Sequence, residues 1–194
     1  MYSPDRSKEP EGGSPGKAIL LDIAGQSIAC GLRTGQPLVV DPDAYPPELG
    51  EPRATFVTLR RAGELRGCLG GLVASRPLVA DVAHSAFGAA FRDNRFRPIE
   101  ADELDELEIH VSILSPLEPL SATDEASLLA AIRPGVDGLV VRDGARQGTF
   151  LPAVWESLPE PAEFWRELKR KAGIPLDAWS SHWEIFHYTV ESLP

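Results

Sequence analysis

The stretch Leu65-Arg66-Gly67-Cys68-Leu69-Gly70 sets a thiol two residues from a guanidinium in a run otherwise made of glycine and leucine. A cation beside a thiol favours the thiolate, the nucleophilic form of cysteine. Alternate side chains of a strand share a face, so Arg66 and Cys68 are expected on one side with Gly70, and Leu65 and Leu69 on the other. Gly67 and Gly70 leave backbone within reach of a ligand. Such a group offers nucleophilic attack by Cys68, with Arg66 steadying both the thiolate and a small anionic substrate. The same residues also fit a cysteine packed as a small hydrophobe, with glycines admitting a neighbouring element. No general base declares itself in the sequence.

The elements that must carry this segment are legible around it. Thr55 to Arg60 is rich in β-branched and aromatic residues and reads as a strand, and Ala62-Gly63 supplies a tight turn, so the hexapeptide lies on the return strand of a hairpin. Ser14-Pro15 opens a helix whose Ile19, Leu20, Ile23, Ala24 and Ile28 recur at helical spacing until Gly31 is expected to end it. A proline-rich connector, residues 37 to 52, precedes the hairpin. After Pro77 a second helix buries Val79, Val82, Ala83, Ala86, Phe87 and Ala90, with Asp81, Ser85 and Arg92 opposite. Ile109, Val111 and Ile113 alternate with Glu108, His110 and Ser112 as a strand with one buried face, and residues 124 to 132 form a third helix capped by Thr123. A second hairpin turns at Asp143-Gly144, a helix spans residues 161 to 172 and stops at Gly173, and one strand from Trp183 to Glu191 closes the chain. Hairpins without strict βαβ alternation predict an α+β fold: one compact domain over residues 14–194, a mixed or antiparallel sheet with flanking helices, divisible into two lobes around a cleft. Residues 1–13 are polar and rich in Pro, Gly and charge and read as a flexible tail.

Further candidates lie outside the hairpin. Arg92-Asp93-Asn94-Arg95-Phe96-Arg97 follows the second helix and crowds guanidinium groups that could favour the helix dipole or hold an anion. Lys171 falls at the edge of the stripe Phe164, Trp165, Leu168 and Ala172, where lysine snorkels to water. His84 and His110 project from polar faces and lack a second ligand at suitable spacing, so neither reads as a metal ligand. The acids Asp102, Glu103, Asp105 and Glu106 read as a solvated helical face rather than as general acids.

Composition narrows the class. A formal charge of −10 argues against broad capture of nucleic acid, although Arg92, Arg95 and Arg97 around Phe96 could pair phosphate contact with base stacking. Two cysteines, Cys30 in a helix and Cys68 in a strand, are too few for a disulfide framework and fit reduced thiols in the cytoplasm. No apolar run is long enough to span a bilayer, and no phosphate-binding loop, dinucleotide fingerprint or metalloprotease motif occurs.

Taken in order, Phe56-Val57-Thr58-Leu59, the hexapeptide, Arg92 to Phe96, Val111 to Pro116, Phe150-Leu151-Pro152 and Lys171-Ala172-Gly173 resemble the AMMECR-one domain family, the A component of AmmeMemoRadiSam systems. The resemblance runs from about Ser14 to Leu193 and implies a compact α+β domain with a cleft lined by the hexapeptide. It implies Arg66, Gly67, Cys68 and Gly70 as site residues, with Asp93, Arg95, Phe96 and Lys171 around them, and association with a Memo-like protein and a radical SAM enzyme. His110 departs from the acid or small residue the family strand usually carries. Three functions stay open: an accessory enzyme or enzyme subunit acting on a small anionic substrate, a binding module receiving a partner segment or carrier-bound substrate, and an RNA-directed role. Neither the reaction nor a cofactor is named by the residues.

Overall fold

The computed structural model describes residues 15–194. The expected tail of residues 1–13 and the capping role of Ser14 lie outside them. The chain runs α1 (Pro15–Thr34), α2 (Pro47–Gly50), β1 (Thr55–Arg61), β2 (Glu64–Gly70), α3 (Leu78–Phe91), β3 (Leu107–Leu114), β4 (Glu118–Pro119), α4 (Glu125–Ala131), β5 (Gly138–Asp143), β6 (Arg146–Phe150), α5 (Pro161–Ala172), β7 (Glu184–Tyr188) and β8 (Val190–Leu193). Two antiparallel four-stranded sheets result, ordered β2-β1-β3-β8 and β4-β7-β5-β6. The α+β reading and the division into two lobes therefore describe the molecule.

Each sheet packs helices on one face and the other sheet on its second face. Val57, Leu59 and Val111 meet Leu20, Ile23 and Ile28 of α1 and Val79, Val82 and Ala86 of α3. In the second lobe Leu139, Val141 and Ile185 meet Phe164, Trp165 and Leu168 of α5 and Leu128 of α4. The remaining faces join through Leu114, Val140 and Tyr188, with Phe56, Leu151 and Phe186 packed against them. Alternation along β1 and β3 then assigns Phe56, Thr58, His110, Ser112 and Leu114 to the inter-sheet side.

Four sequence expectations are corrected. α1 does not stop at Gly31 but continues to Thr34, with Gly35 at φ 70° beyond it. Gly31 is a packing residue, since a Cβ there would lie 2.3 Å from the Phe91 ring and 2.8 Å from that of Phe87. The polar side of α3 is not solvated: Asp81 and Ser85 are buried, and the Asp81 carboxylate accepts the Thr55 backbone N–H at 3.0 Å and its hydroxyl at 2.7 Å. α4 is capped by Asp124, which accepts the Ser127 N–H, rather than by Thr123. The single closing strand is two strands in different sheets. The chain crosses between them at Thr189, whose carbonyl accepts the Ser115 N–H and whose N–H donates to the Ser115 hydroxyl.

Candidate functional site

Ala62 and Gly63 both take the left-handed conformation, φ 52° and 79°, which matches the twist of a two-residue hairpin and brings β2 back along β1. Cys68 stands directly opposite Thr58, and Thr58 directly opposite His110 on β3, so the three share the inter-sheet face in one row. The Thr58 hydroxyl donates to Cys68 Sγ at 3.4 Å. β2 is an edge strand, and the backbone of Cys68 points outward. Its N–H donates to Asp93 Oδ2 at 2.9 Å, and its carbonyl accepts Arg95 Nη2 at 3.4 Å. The loop after α3 thus satisfies the edge in place of another strand.

Asp93 is the organising group of that loop. It is buried, and its carboxylate also accepts the backbone N–H of Arg95 at 3.1 Å and Arg95 Nε and Nη2 at 2.9 and 2.7 Å. The Arg95 guanidinium holds the Asp93 carboxyl well below the usual carboxylate range, helped by the N–H groups of Cys68 and Arg95 and opposed by burial. Arg95 is raised in turn by Asp93.

From the other lobe, Lys171 in the last turn of α5 donates to the Thr149 carbonyl at 2.9 Å and lies 5.0 Å from the centre of the Phe150 ring. Desolvation lowers its pKa, the charge of Arg95 lowers it further, and Cys68 opposes both. Thiol, guanidinium and ammonium are therefore electrostatic neighbours across the two lobes. This arrangement suits an anion placed beside the thiol.

Arg66 is placed elsewhere. The register slips between Leu59 and Arg60, where Leu59 faces Gly67 but Arg60 faces Leu65, leaving Arg66 as the extra residue of a bulge. The bulge breaks the alternation that would set Arg66 beside Cys68. Its guanidinium instead donates to Glu103 from Nε at 2.9 Å and Nη2 at 3.0 Å, and from Nη1 to the Arg97 carbonyl at 2.9 Å. Arg61 reaches the same carboxylate at 3.1 Å. Glu103, expected on a solvated face, is 1% exposed, and Arg66 above all holds its carboxyl down at about 2.

The glycines of the hexapeptide have packing roles. Gly67 is buried, and a Cβ there would meet the Ala89 carbonyl of α3 at 2.2 Å, so its space belongs to the helix and not to the cleft. At Gly70 a Cβ would lie 2.1 Å from the Thr55 carbonyl and 2.7 Å from the Phe56 ring. Half-buried Phe96 lies 5.4 Å from the Arg95 guanidinium, Arg92 covers Phe87, and Arg97 pairs with Glu100, so each arginine of the loop already has an acid or a ring.

The row also contains a group that sequence reading set aside. His110 Nε2 is buried and has no hydrogen-bond partner. The sequence put His110 on the open face correctly; the pairing of β1 with both neighbours is what brings that face to Cys68. Two residues along β3, Ser112 opens onto a cleft of about 530 Å³ shared with Ser192, Val190, Leu151, Trp155 and Glu156. Among the described residues no cluster of three or more His, Cys, Asp or Glu is placed to hold a metal, and no helix is long and apolar enough to cross a membrane.

The family model AMMECR1 matches residues 21–193. A protein of Methanothermobacter thermautotrophicus is 38% identical over 165 residues, covering 82% of this chain and 83% of the relative. One from Thermotoga maritima is 40% identical over 157 residues, covering 79% and 85%. The crystal structure of an uncharacterized protein, PH0010, from Pyrococcus horikoshii superposes with a TM-score of 0.80 at 34% identity, covering 89% of this chain and 88% of that one.

Proposed function

The chain belongs to the AMMECR1 family, and from the inter-sheet site we propose that it is an accessory enzyme or enzyme subunit that holds a small anionic substrate against the Cys68 thiolate. The observation that carries this reading is that Arg95, bonded to the Cys68 carbonyl, and Lys171, bonded to the Thr149 carbonyl of the other lobe, are neighbouring charges of Cys68, whose N–H is held by Asp93. Cys68 is the nucleophile; Arg95 and Lys171 bind the anion and stabilise negative charge at sulfur. The match of its motifs to A components supports work in the cytoplasm beside a Memo-like protein and a radical SAM enzyme, testable by pull-down at low and high salt.

Two alkylating agents of opposite character test the site. Iodoacetate is an anion and iodoacetamide is neutral, so their rate ratio reports the local field. The ratio at Cys68 is expected to exceed that at Cys30 several-fold, to shrink as salt rises, and to fall in Lys171→Gln. Equal ratios at the two cysteines would remove the anion site. A second reading, a non-catalytic binding module, is favoured by the commitment of Arg66 to Glu103, which withdraws one expected activator from the thiol. It gains ground if Cys68→Ala retains phosphate binding while native Cys68 ignores both reagents.

A further inference from the structure

The reading of Cys68 as nucleophile leaves its proton without an acceptor. Asp93 is spent on Arg95 and the Cys68 N–H, Arg95 and Lys171 are cations, and Glu103 is sealed among Arg66 and Arg61. One buried polar atom on the same sheet face is uncommitted. His110 Nε2 is one of two buried side-chain nitrogens or oxygens without a partner among the described residues, and buried polar groups in native proteins are otherwise almost always paired. It belongs to the residue directly opposite Thr58, whose hydroxyl is 3.4 Å from Cys68 Sγ.

The geometry of the pair points outward and inward in turn. The Cys68 N–H and carbonyl leave the sheet edge, so Cys68 and Thr58 form the kind of antiparallel pair that brings side chains closest. Facing residues on neighbouring strands hold their Cβ atoms about 5 Å apart, so rotation of the side chains brings an imidazole to a threonine hydroxyl, a bond that His110 Nε2 does not make at rest. A hydroxyl both donates and accepts, and its proton rotates to suit.

We infer that His110 is the proton acceptor of the site, and that Thr58 relays the proton to it from Cys68. The inference rests on the nucleophile reading above. The S–H proton passes to Thr58 Oγ1 as the Thr58 hydroxyl proton passes to His110 Nε2, leaving thiolate and imidazolium with no net change of charge. The other charged or titratable groups facing this row are Arg60 and Glu108 at the exposed end of the sheet, Arg95 and Lys171 beside Cys68, Arg142, Glu184 and Tyr188 on the facing sheet, and Glu156 in the cleft.

The test is the pH profile of Cys68 alkylation by iodoacetamide, read by mass spectrometry on the full chain with folding checked by circular dichroism. In the wild type Cys68 is expected to react readily at pH 7. In His110→Gln and Thr58→Val the profile moves to higher pH, and the rate at pH 7 falls about tenfold. Thr58→Ser, which keeps the hydroxyl, retains the wild-type profile. A second measurement needs no variant at the histidine: the His110 imidazole, followed by NMR, titrates at a different pH in Cys68→Ala than in the wild type. Reactive Cys68 with one profile in every variant and an unmoved imidazole overturns the proton path alone. Cys68 inert in the folded wild type overturns the nucleophile reading as well.

Discussion

Replacing Glu103 by Gln separates the two roles that a guanidinium in the hexapeptide could have. The Glu103 carboxylate is 1% exposed and accepts from Arg66, from Arg61 at 3.1 Å and from the Glu100 N–H at 3.0 Å. These partners, Arg66 first, bring its pKa from 4.5 to about 2. At about 1.4 kcal/mol per tenfold, that difference corresponds to a ceiling of about 3.4 kcal/mol. Arg61 and Arg97 face solvent, and screening there reduces the expected loss to about 2 kcal/mol, or a fall in melting temperature of about 4–8 °C. Because the folded value lies below the unfolded one, this stability is fully present above 4.5 and is lost as pH falls toward 2. Urea titrations at pH 7 and pH 3 should therefore show the gap between wild type and Glu103→Gln shrinking by more than half, the unrelated acids cancelling in the difference. Arg66→Gln should lower stability in the same way while leaving the Cys68 alkylation rate within about twofold, since all three Arg66 nitrogens are spent on Glu103 and the Arg97 and Pro98 carbonyls. A variant of Arg66 that kept full stability and lost thiol reactivity tenfold would refute this assignment and restore Arg66 to the site.

Gly67→Ala puts a methyl 2.2 Å from the Ala89 carbonyl, so α3 must shift and a loss of about 3 kcal/mol is expected; a thermal melt within 1 °C of wild type would contradict the close approach. Asp93→Asn replaces one of the two oxygens that share four N–H groups by an NH2 donor and removes the charge, and should cost about 2 kcal/mol at pH 7; the carboxylate's contribution is present above the ordinary 3.8 and fades at lower pH, so the deficit narrows on acidification, and a deficit that grew would be the wrong sign. Lys169 is 1% exposed, pairs with Glu125 at 2.8 Å and donates to the Leu176 carbonyl; Glu125→Ala should cost about 3 kcal/mol by leaving a buried ammonium without its counter-charge, whereas Lys169→Met should be close to neutral, and equal losses in urea melts would show that desolvation is not the controlling term.

What the sequence disclosed and what it hid divide along the length of the contacts involved. The first hairpin and the end of α5 depend on neighbours in the chain: Ala62-Gly63 needs only two left-handed residues, and Gly173 at φ 72° caps α5 with bonds to Lys169 and Arg170 carbonyls. Gly31 misled because the same residue type serves a cap and a close helix crossing, and only the position of Phe87 and Phe91 decides between them. Glu103 misled for a related reason, which also hides the burial of Lys169. Charged side chains are solvated by default, and nothing local announces that Arg66 or Glu125, far off in sequence, will pair with them.

The site repeats this division in finer detail. Period-two alternation correctly gave Cys68 an open face, yet it holds only where the ladder is regular, and the extra residue between Gly67 and Leu65 is visible only from the β1 side of the pair. A thiol's electrostatic neighbours are set by tertiary packing, so the cations that face Cys68 come from the loop after α3 and from α5 rather than from its own strand. That origin has a consequence for function. Arg95 and Lys171 belong to different lobes, so their spacing, and with it the fit of any anion, varies with how the two sheets sit against each other at Leu114, Val140 and Tyr188. A substitution in that apolar contact, Val140→Ala, is accordingly expected to weaken the preference of Cys68 for iodoacetate over iodoacetamide without touching a charged residue, and an unchanged ratio in a folded Val140→Ala protein would show that each cation acts from its own lobe alone.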